Sequence, residues 1–279
     1  QLKPGEVVPM IQFSRGPTPE ELHSAATIPR MLGRAGYRTG FMGKWHTNLP
    51  RANRKLAASL CVAAHADPMR NMSCLQELVR FIGGFDHAVD VYMDNEAMMR
   101  YGHHPESMAA EGIRFVQDAR NVSQPFFLWY ASTLPHQPTN FRDALAQEPT
   151  TLAGSMDCLQ SMPTALADAC RQADHRRAPA EWRELRTAVL ANYPEQVAGC
   201  DGNEEAHLGA AWLDATIRPL LQALEGPNTL VVFTADHGNA CTGKGSLYEG
   251  GVQVPLFVHW SEHPACTAWA SSAIFTHLD

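Results

Sequence analysis

The first candidate site in the sequence is a polar, glycine-rich stretch directly after the apolar run 229–233. Asp236, His237 and Lys244 lie close together in this stretch. A carboxylate and an imidazole can ligate a divalent cation, and a lysine ammonium can bind a doubly charged anion. An aspartate in a loop can equally cap backbone N–H groups in a turn, and a lysine can simply be solvated. The stretch alone therefore leaves both interpretations open.

Two further polar clusters follow apolar segments in the same way. Lys44 and His46 come at the end of the strand-like segment 37–43, and His136 lies between two prolines after the apolar run 125–132. Ligands of open α/β sheets bind beyond the carboxyl ends of the strands, so three clusters at such positions indicate one shared site. Taken singly, Lys44 is equally compatible with a solvated surface lysine, and His136 with a structural loop histidine.

The adjacent pair His103 and His104 is a weaker candidate for metal binding. Two neighbouring residues on a loop rarely bind the same ion, and we expect this loop to be exposed. We therefore assign no metal site to the pair.

Apolar runs alternate with amphipathic segments along the chain, which predicts the elements that position these residues. The predicted strands are 37–43, 125–132, 229–235 and 254–260, and the predicted helices are 27–36, 106–120 and 204–225. Because helices and buried strands alternate, we predict an α/β fold with a mostly parallel central sheet flanked by helices. Residues 142–203 read as an insertion of helices and loops. We expect the apolar stripe of the last helix to pack in the core (Leu208, Ala211, Trp212, Ala215, Leu221 and Leu224).

Composition and charge narrow the class of protein. The chain has 279 residues and a formal net charge of −7, which argues against a general nucleic-acid binder because that role requires a basic surface. No apolar run approaches the roughly 18 residues that span a bilayer. The seven cysteines form no C-x-x-C pair, which argues against a structural zinc site. Two N-glycosylation sequons, at Asn71 and Asn121, slightly favour the secretory pathway.

Four separated blocks of the sequence resemble one enzyme family. Residues 36–46 resemble the G-Y-x-T-x-x-x-G-K-x-H signature of type I sulfatases, which belong to the alkaline phosphatase superfamily. Residues 125–138 resemble the strand and Pro-His-x-Pro loop of that family. Residues 228–238 resemble its metal-binding strand, and residues 243–260 resemble the lysine loop that follows it. The resemblance covers most of 27–279, apart from 47–80 and 142–203, and it implies the α/β sulfatase fold.

The resemblance also implies a role for each candidate residue. Sulfatases hold one divalent cation, usually Ca²⁺, between carboxylates, so Asp236 and His237 would be metal ligands. Their nucleophile is a formylglycine hydrate made from a Cys or Ser in a C-x-P-S-R sequence. Lys44 and His46 would hold the formylglycine and the sulfate oxygens, and Lys44, His136 and Lys244 would bind the substrate. His136 would also protonate the leaving alkoxide.

Two parts of the family's site do not occur in the sequence. No cysteine or serine begins a C-x-P-S-R, although 11–15 end in the same Ser-Arg, and no strand ends in paired aspartates. We therefore expect 1–279 to be a single partial catalytic domain, truncated at both ends and lacking its N-terminal strand and C-terminal subdomain. The formylglycine would come from a Cys or Ser upstream of Gln1, and we expect the chain by itself to be inactive. Gln253 stands where the family usually has Arg.

The resemblance implies a substrate class and partners as well. The substrate would be a sulfated small molecule or glycan, and the full-length protein would require a formylglycine-generating enzyme. The expected compartment is extracellular or lysosomal, within the secretory pathway. Two alternatives stay open: a non-catalytic sulfatase-like protein that binds a partner or a sulfated glycan, and a phosphate or phosphonate ester hydrolase of the same superfamily.

Overall fold

A computed structural model of the protein describes residues 27–45, 75–92, 103–136, 141–149, 178–193, 205–226, 228–238, 244 and 246–260. The strands are β1 Arg38–Lys44, β2 His87–Tyr92, β3 Phe126–Ala131, β4 Leu230–Thr234 and β5 Leu256–Trp260. The α-helices are α1 Ile28–Arg34, α2 Pro105–Asn121, α3 Phe141–Ala146, α4 Ala180–Asn192, α5 Ala206–Leu224 and α6 Glu249–Val252. A π-helical turn, Val79–Gly83, precedes β2.

The first helix begins and ends where its sequence predicts. The Thr27 side chain caps α1 by accepting the backbone N–H of Arg30 at 3.4 Å, and Pro29 occupies the first turn, where a missing N–H costs nothing. The chain turns at Gly36, whose φ of +91° is accessible to glycine at little cost. This turn leads directly into β1.

The central sheet has three strands in the order β2–β1–β3, and both pairs are parallel. This confirms the predicted parallel sheet for β1 and β3, while β2 was not predicted from the sequence. The Asp86 carboxylate joins the starts of β1 and β2, because it accepts the backbone N–H and the hydroxyl of Thr39 at 2.9 and 3.0 Å. The middle strand is the most buried, with Phe41 and Met42 almost fully enclosed.

The helices pack against this sheet and against one another. On one face, Phe115 and Val116 of α2 form a cluster with Met42 of β1. A second cluster brings together α3, α4, α5 and the segment after β3, and its buried members are Leu134, Phe141, Leu145, Val189, Leu208 and Trp212. Helices α3 and α4 therefore confirm helical structure in the described part of 142–203.

The stripe predicted for α5 is confirmed except at one residue. Leu208 and Trp212 are fully buried, and Ala211, Ala215 and Leu224 are partly buried against the clusters. Leu221, in contrast, is 42% exposed, and its neighbour Leu220 is buried instead. The buried face follows the spacing 208, 212, 216, 220, because residues four apart share one face of a helix.

The last two strands differ most from the prediction. Strands β4 and β5 form a separate antiparallel pair, with Leu230 opposite Trp260 and Thr234 opposite Leu256. The sequence predicts buried strands within the parallel sheet, yet Val232, Phe257 and Val258 are all more than half exposed. Within the described ranges β4 and β5 form a two-stranded sheet, and much of their apolar surface is exposed.

None of the helices in the described ranges combines the length and the apolar character that crossing a bilayer requires.

Candidate functional site

Lys44 lies at the carboxyl end of β1, in the middle of the parallel sheet. The preceding residue, Gly43, has a φ of +103°, and a Cβ there would lie 1.9 Å from the carbonyl oxygen of Ala131. Only glycine fits at this point, so β1 and β3 approach closely just before Lys44. The Lys44 side chain is half-buried. His46, its predicted partner in the site, lies outside the described residues.

The loop that carries His136 leaves the sheet beside Lys44. Gly43 is paired in register with Ala131, the last residue of β3, and the strands are parallel. The loop is bonded internally: the Leu134 N–H donates to Ser132 Oγ at 3.0 Å, and the His136 N–H donates to the Thr133 carbonyl at 3.1 Å. Lys44 and the start of the His136 loop therefore lie at the same edge of the sheet.

A buried acid that the sequence reasoning missed lies on the third strand of this edge. Asp90 is the extra residue of a bulge in β2, since Met42 pairs with Val89 and Gly43 with Val91. Its φ is +47°, and its carboxylate accepts the Ser107 hydroxyl at 2.8 Å. Burial raises the pKa of Asp90 to about 6. An acidic residue between two valines in the segment 87–92 was the available signal for it.

The residues around Asp90 are also enclosed. Burial raises the pKa of the Tyr130 phenol, and the negative charges of Asp90 and Glu106 raise it further. The Tyr130 hydroxyl donates to the Pro105 carbonyl at 3.4 Å. The sheet edge below Lys44 and His136 is therefore a low-dielectric environment, in which electrostatic contacts are stronger than in water.

The expectation that His103 and His104 lie on an exposed loop is wrong. Their residues are 5% and 2% exposed, because they immediately precede α2 and lie under the loop after β3. His103 Nδ1 is 2.9 Å from Thr133 Oγ1. These histidines are part of the interior next to the candidate site.

Asp236 and His237 follow β4 directly. The Asp236 side chain is 87% exposed, and its Oδ2 lies 3.5 Å from His237 Nε2. His237 Nδ1 lies 2.8 Å from the Gly238 carbonyl, so this nitrogen carries the proton when it donates there. The Gly238 N–H donates to the Gly251 carbonyl at 2.9 Å, which ties the loop to α6. Lys244 is exposed.

The donor set after β4 fits a cation only in part. The exposed Asp236 carboxylate offers the hard oxygen atoms that Ca²⁺ prefers, whereas His237 already directs one ring nitrogen to a carbonyl and the other towards Asp236. Within the ranges that the structure describes, no three His, Cys, Asp or Glu side chains converge on a point where an ion would bind. Two residues fall short of the six to eight ligands that Ca²⁺ usually takes.

The candidate residues therefore form two groups on two sheets. Lys44 and His136 share the carboxyl edge of the parallel sheet, whereas Asp236, His237 and Lys244 belong to the loop after β4 of the antiparallel pair. The register of β1 and β3 places Lys44 and the loop of His136 at one sheet edge, and Asp236 and His237 are adjacent in the loop after β4.

One family model matches nearly the whole chain. Residues 5–279 match the family model described as Sulfatase. Human arylsulfatase A is 26% identical to the chain over 290 residues, which cover 94% of this chain and 46% of arylsulfatase A. The solved structure of yidJ, a predicted sulfatase from Bacteroides fragilis, is similar with a TM-score of 0.40 and 18% identity, and the match covers 83% of this chain and 49% of that one. The chain thus spans about half the length of the relatives it matches.

Proposed function

The chain belongs to the sulfatase family, and on that premise we propose that the whole protein hydrolyses a sulfuric ester to an alcohol and sulfate. The observation that supports this most is the parallel pairing of β1 and β3, which brings Lys44 and the loop of His136 out of the sheet side by side. In this proposal a cation and an acid would face the same space beyond the strands.

Lys44 and His136 suit two different parts of the reaction. A lysine ammonium stabilises the negative charge on the oxygens of a transferring SO₃ group, and an imidazolium donates a proton to the leaving alkoxide oxygen. We assign Lys44 the first role and His136 the second. Lys244 and His46 would supply further contacts to the sulfate, His46 being outside the described residues.

The proposal includes a cation and a modified nucleophile. Asp236, and to a lesser degree His237, would hold the cation, for which Ca²⁺ is our proposal; the cation would neutralise sulfate charge and orient the nucleophile. The nucleophile would be formylglycine made from a Cys or Ser upstream of Gln1, so a formylglycine-generating enzyme is the proposed partner. The residues of this chain would bind and orient the ester and supply the proton.

The activity of the whole protein tests this proposal. We expect the chain, expressed with the coding sequence upstream of Gln1 and with a formylglycine-generating enzyme, to hydrolyse an aryl sulfate faster than the matching aryl phosphate. Lys44→Ala and His136→Gln should each lower kcat/KM about a hundredfold, the usual effect of losing one electrostatic or acid–base contact. Residues 1–279 alone should show no turnover, because they contain no C-x-P-S-R.

The control for these variants is His259→Gln, since His259 is an exposed residue of β5. Its rate should stay within about threefold of the unmodified protein. A preference for the phosphate ester would instead support the phosphoryl-transfer alternative, and binding of a sulfated glycan without turnover would support the non-catalytic one. Rates that change less than tenfold in both Lys44→Ala and His136→Gln would remove those residues from the mechanism.

The substrate and the compartment are proposals of the same kind. We propose a sulfated small molecule or glycan as the substrate, and the secretory pathway, extracellular or lysosomal, as the location. Asn121 ends α2 with an exposed side chain, and its sequon partner Ser123 is exposed too, so a glycan there would extend into solvent.

N-glycosylation at Asn121 is therefore an expected outcome in a secretory host. Protein secreted from cultured animal cells should lose mass on treatment with an N-glycosidase, and Asn121→Gln should remove part of that loss. Asn121→Gln without any effect on the mass would show that this sequon is unused, and the sequon at Asn71 serves as the comparison.

A further inference from the structure

We propose that His103 and Gly209, two residues outside the candidate site, position His136 for proton transfer. The inference rests on the proposed function, because it takes His136 as the proton donor. Neither residue contacts the reacting groups in this arrangement; each acts through the loop 132–136, which we call the histidine loop. His103 holds the loop by a hydrogen bond, and Gly209 leaves the space in which the loop packs.

The hydrogen bond runs between two buried side chains. His103 Nδ1 and Thr133 Oγ1 are 2.9 Å apart, and both residues are at most 5% exposed. Thr133 also accepts the backbone N–H of His136 through its carbonyl at 3.1 Å. The same threonine therefore bonds His103 through its side chain and His136 through its backbone, which links the two histidines through one residue.

His103 is itself held between two aromatic rings. Its ring lies 5.4 Å from the Phe141 ring and 6.2 Å from the Trp212 ring, measured between centroids. Both aromatic residues are fully buried and belong to the cluster that also encloses Leu134 of the histidine loop. The imidazole consequently has little freedom to turn away from Thr133, and the next loop residue, Leu134, belongs to the cluster itself.

Gly209 of α5 lies against the other side of the histidine loop. A Cβ at this position would lie 2.7 Å from the Phe141 ring, closer than real Cβ contacts, and 3.0 Å from the Cβ of Pro135, which is tighter than most such contacts. Pro135 is the residue directly before His136, so any added group at 209 displaces either the proline or the ring against which His103 packs. The observed position of the histidine loop thus requires that residue 209 has no side chain.

The anchoring of the histidine loop affects how the His136 ring aligns with the leaving oxygen. Proton transfer requires the donor within hydrogen-bond distance of the leaving oxygen, and a misplacement of about 1 Å can cost roughly a hundredfold in rate. A loop anchored at Thr133, Leu134 and Pro135 presents its next residue, His136, in one position. We infer that this anchoring serves the orientation of the imidazole.

The test uses a matched pair of substitutions at Thr133. Thr133→Val keeps the shape and removes the hydroxyl, whereas Thr133→Ser keeps the hydroxyl. In the active full-length protein, Thr133→Val and Gly209→Ala should lower kcat about ten- to a hundredfold with KM changed less than threefold, and Thr133→Ser should stay within about threefold. His207→Gln is the control, because His207 lies on the same helix as Gly209 but contacts Tyr193 instead.

A second readout does not depend on turnover. The ring signals of His136 in ¹H–¹⁵N spectra should shift in Thr133→Val, in His103→Leu and in Gly209→Ala, and stay in place in Thr133→Ser and His207→Gln. Shifted ring signals in a protein that turns over no sulfate ester would support the positioning and reject the proposed function. Unchanged kcat and unchanged His136 signals in Thr133→Val and Gly209→Ala would overturn the positioning, whatever the reaction.

Discussion

Glu106→Gln is expected to lower the free energy of unfolding by about 3–5 kcal/mol, the usual cost of leaving one partner of a buried ion pair without its counter-charge. The Glu106 carboxylate accepts Arg186 Nε at 2.7 Å, Arg186 Nη2 at 2.9 Å and Trp212 Nε1 at 2.8 Å. The side chains of Glu106 and Arg186 are 1% and 5% exposed. Glutamine has no charge to balance the guanidinium, and its amide can accept only part of this set of donors.

The position of Arg186 explains why the effect should be large. Its guanidinium also donates to the Ala144 and Gln147 carbonyls and lies 4.9 Å from the Trp212 ring. The ion pair thus joins the first turn of α2 to α4, to the end of α3 and to α5. Losing it loosens the cluster on which the histidine loop rests.

Chemical denaturation of two further variants distinguishes the loss of the buried charge pair from the change in side-chain shape. The surface pair of Arg183 and Glu148, whose side chains are 63% and 70% exposed, is the matched control, and Glu148→Gln should cost less than about 1 kcal/mol. The double variant Glu106→Gln/Arg186→Met should be more stable than Glu106→Gln alone, because it leaves no unpaired buried charge. Equal losses for Glu106→Gln and Glu148→Gln would refute the assignment.

Asp90→Asn should stabilise the protein at neutral pH, and the gain should disappear in acid. The carboxyl of Asp90 has a pKa of about 6 in the folded state against 3.8 for an ordinary aspartate, chiefly because it is buried. The folded state therefore keeps a proton between pH 3.8 and about 6 that the unfolded state has released, and stability falls as the pH rises through this window. Each pKa unit is worth about 1.4 kcal/mol, so the cost above pH 7 is roughly 3 kcal/mol.

Asparagine fits both the backbone conformation and the hydrogen bond at position 90. It tolerates the positive φ of this bulge, and its side-chain oxygen can still accept the Ser107 hydroxyl. Unfolding measured at pH 7.5 and at pH 4 should show Asp90→Asn more stable by about 2–3 kcal/mol at the higher pH and by less than about 1 kcal/mol at the lower. Asp118→Asn, at a half-exposed carboxylate on α2, is the control. A difference that is the same at both pH values would show that Asp90 does not titrate as stated.

The local elements were largely predictable, because their signals lie within a few residues of the chain. Thr27 and Gly36 delimit α1, and the apolar run after Gln124 is β3. β2 escaped prediction since Asp90 interrupts its apolar pattern, and that residue is tolerated only because the bulge turns its carboxylate towards Ser107. The predicted buried face of α5 was wrong at Leu221. The residues that pack against the helix determine which face is buried, and the apolar composition of the stripe does not.

The sequence by itself determined the family, the identities of Lys44, His136, Asp236 and Lys244 as candidates, and the parallel pairing that sets Lys44 beside the histidine loop. These follow from residue types and from the order of strands and helices, which are local properties of the chain. The tertiary structure decided that His103 is buried, that Gly209 leaves space for Pro135 and that Glu106 pairs with Arg186. Those contacts join residues 30 to 80 positions apart, and burial and charge pairing across such distances depend on how the helices pack.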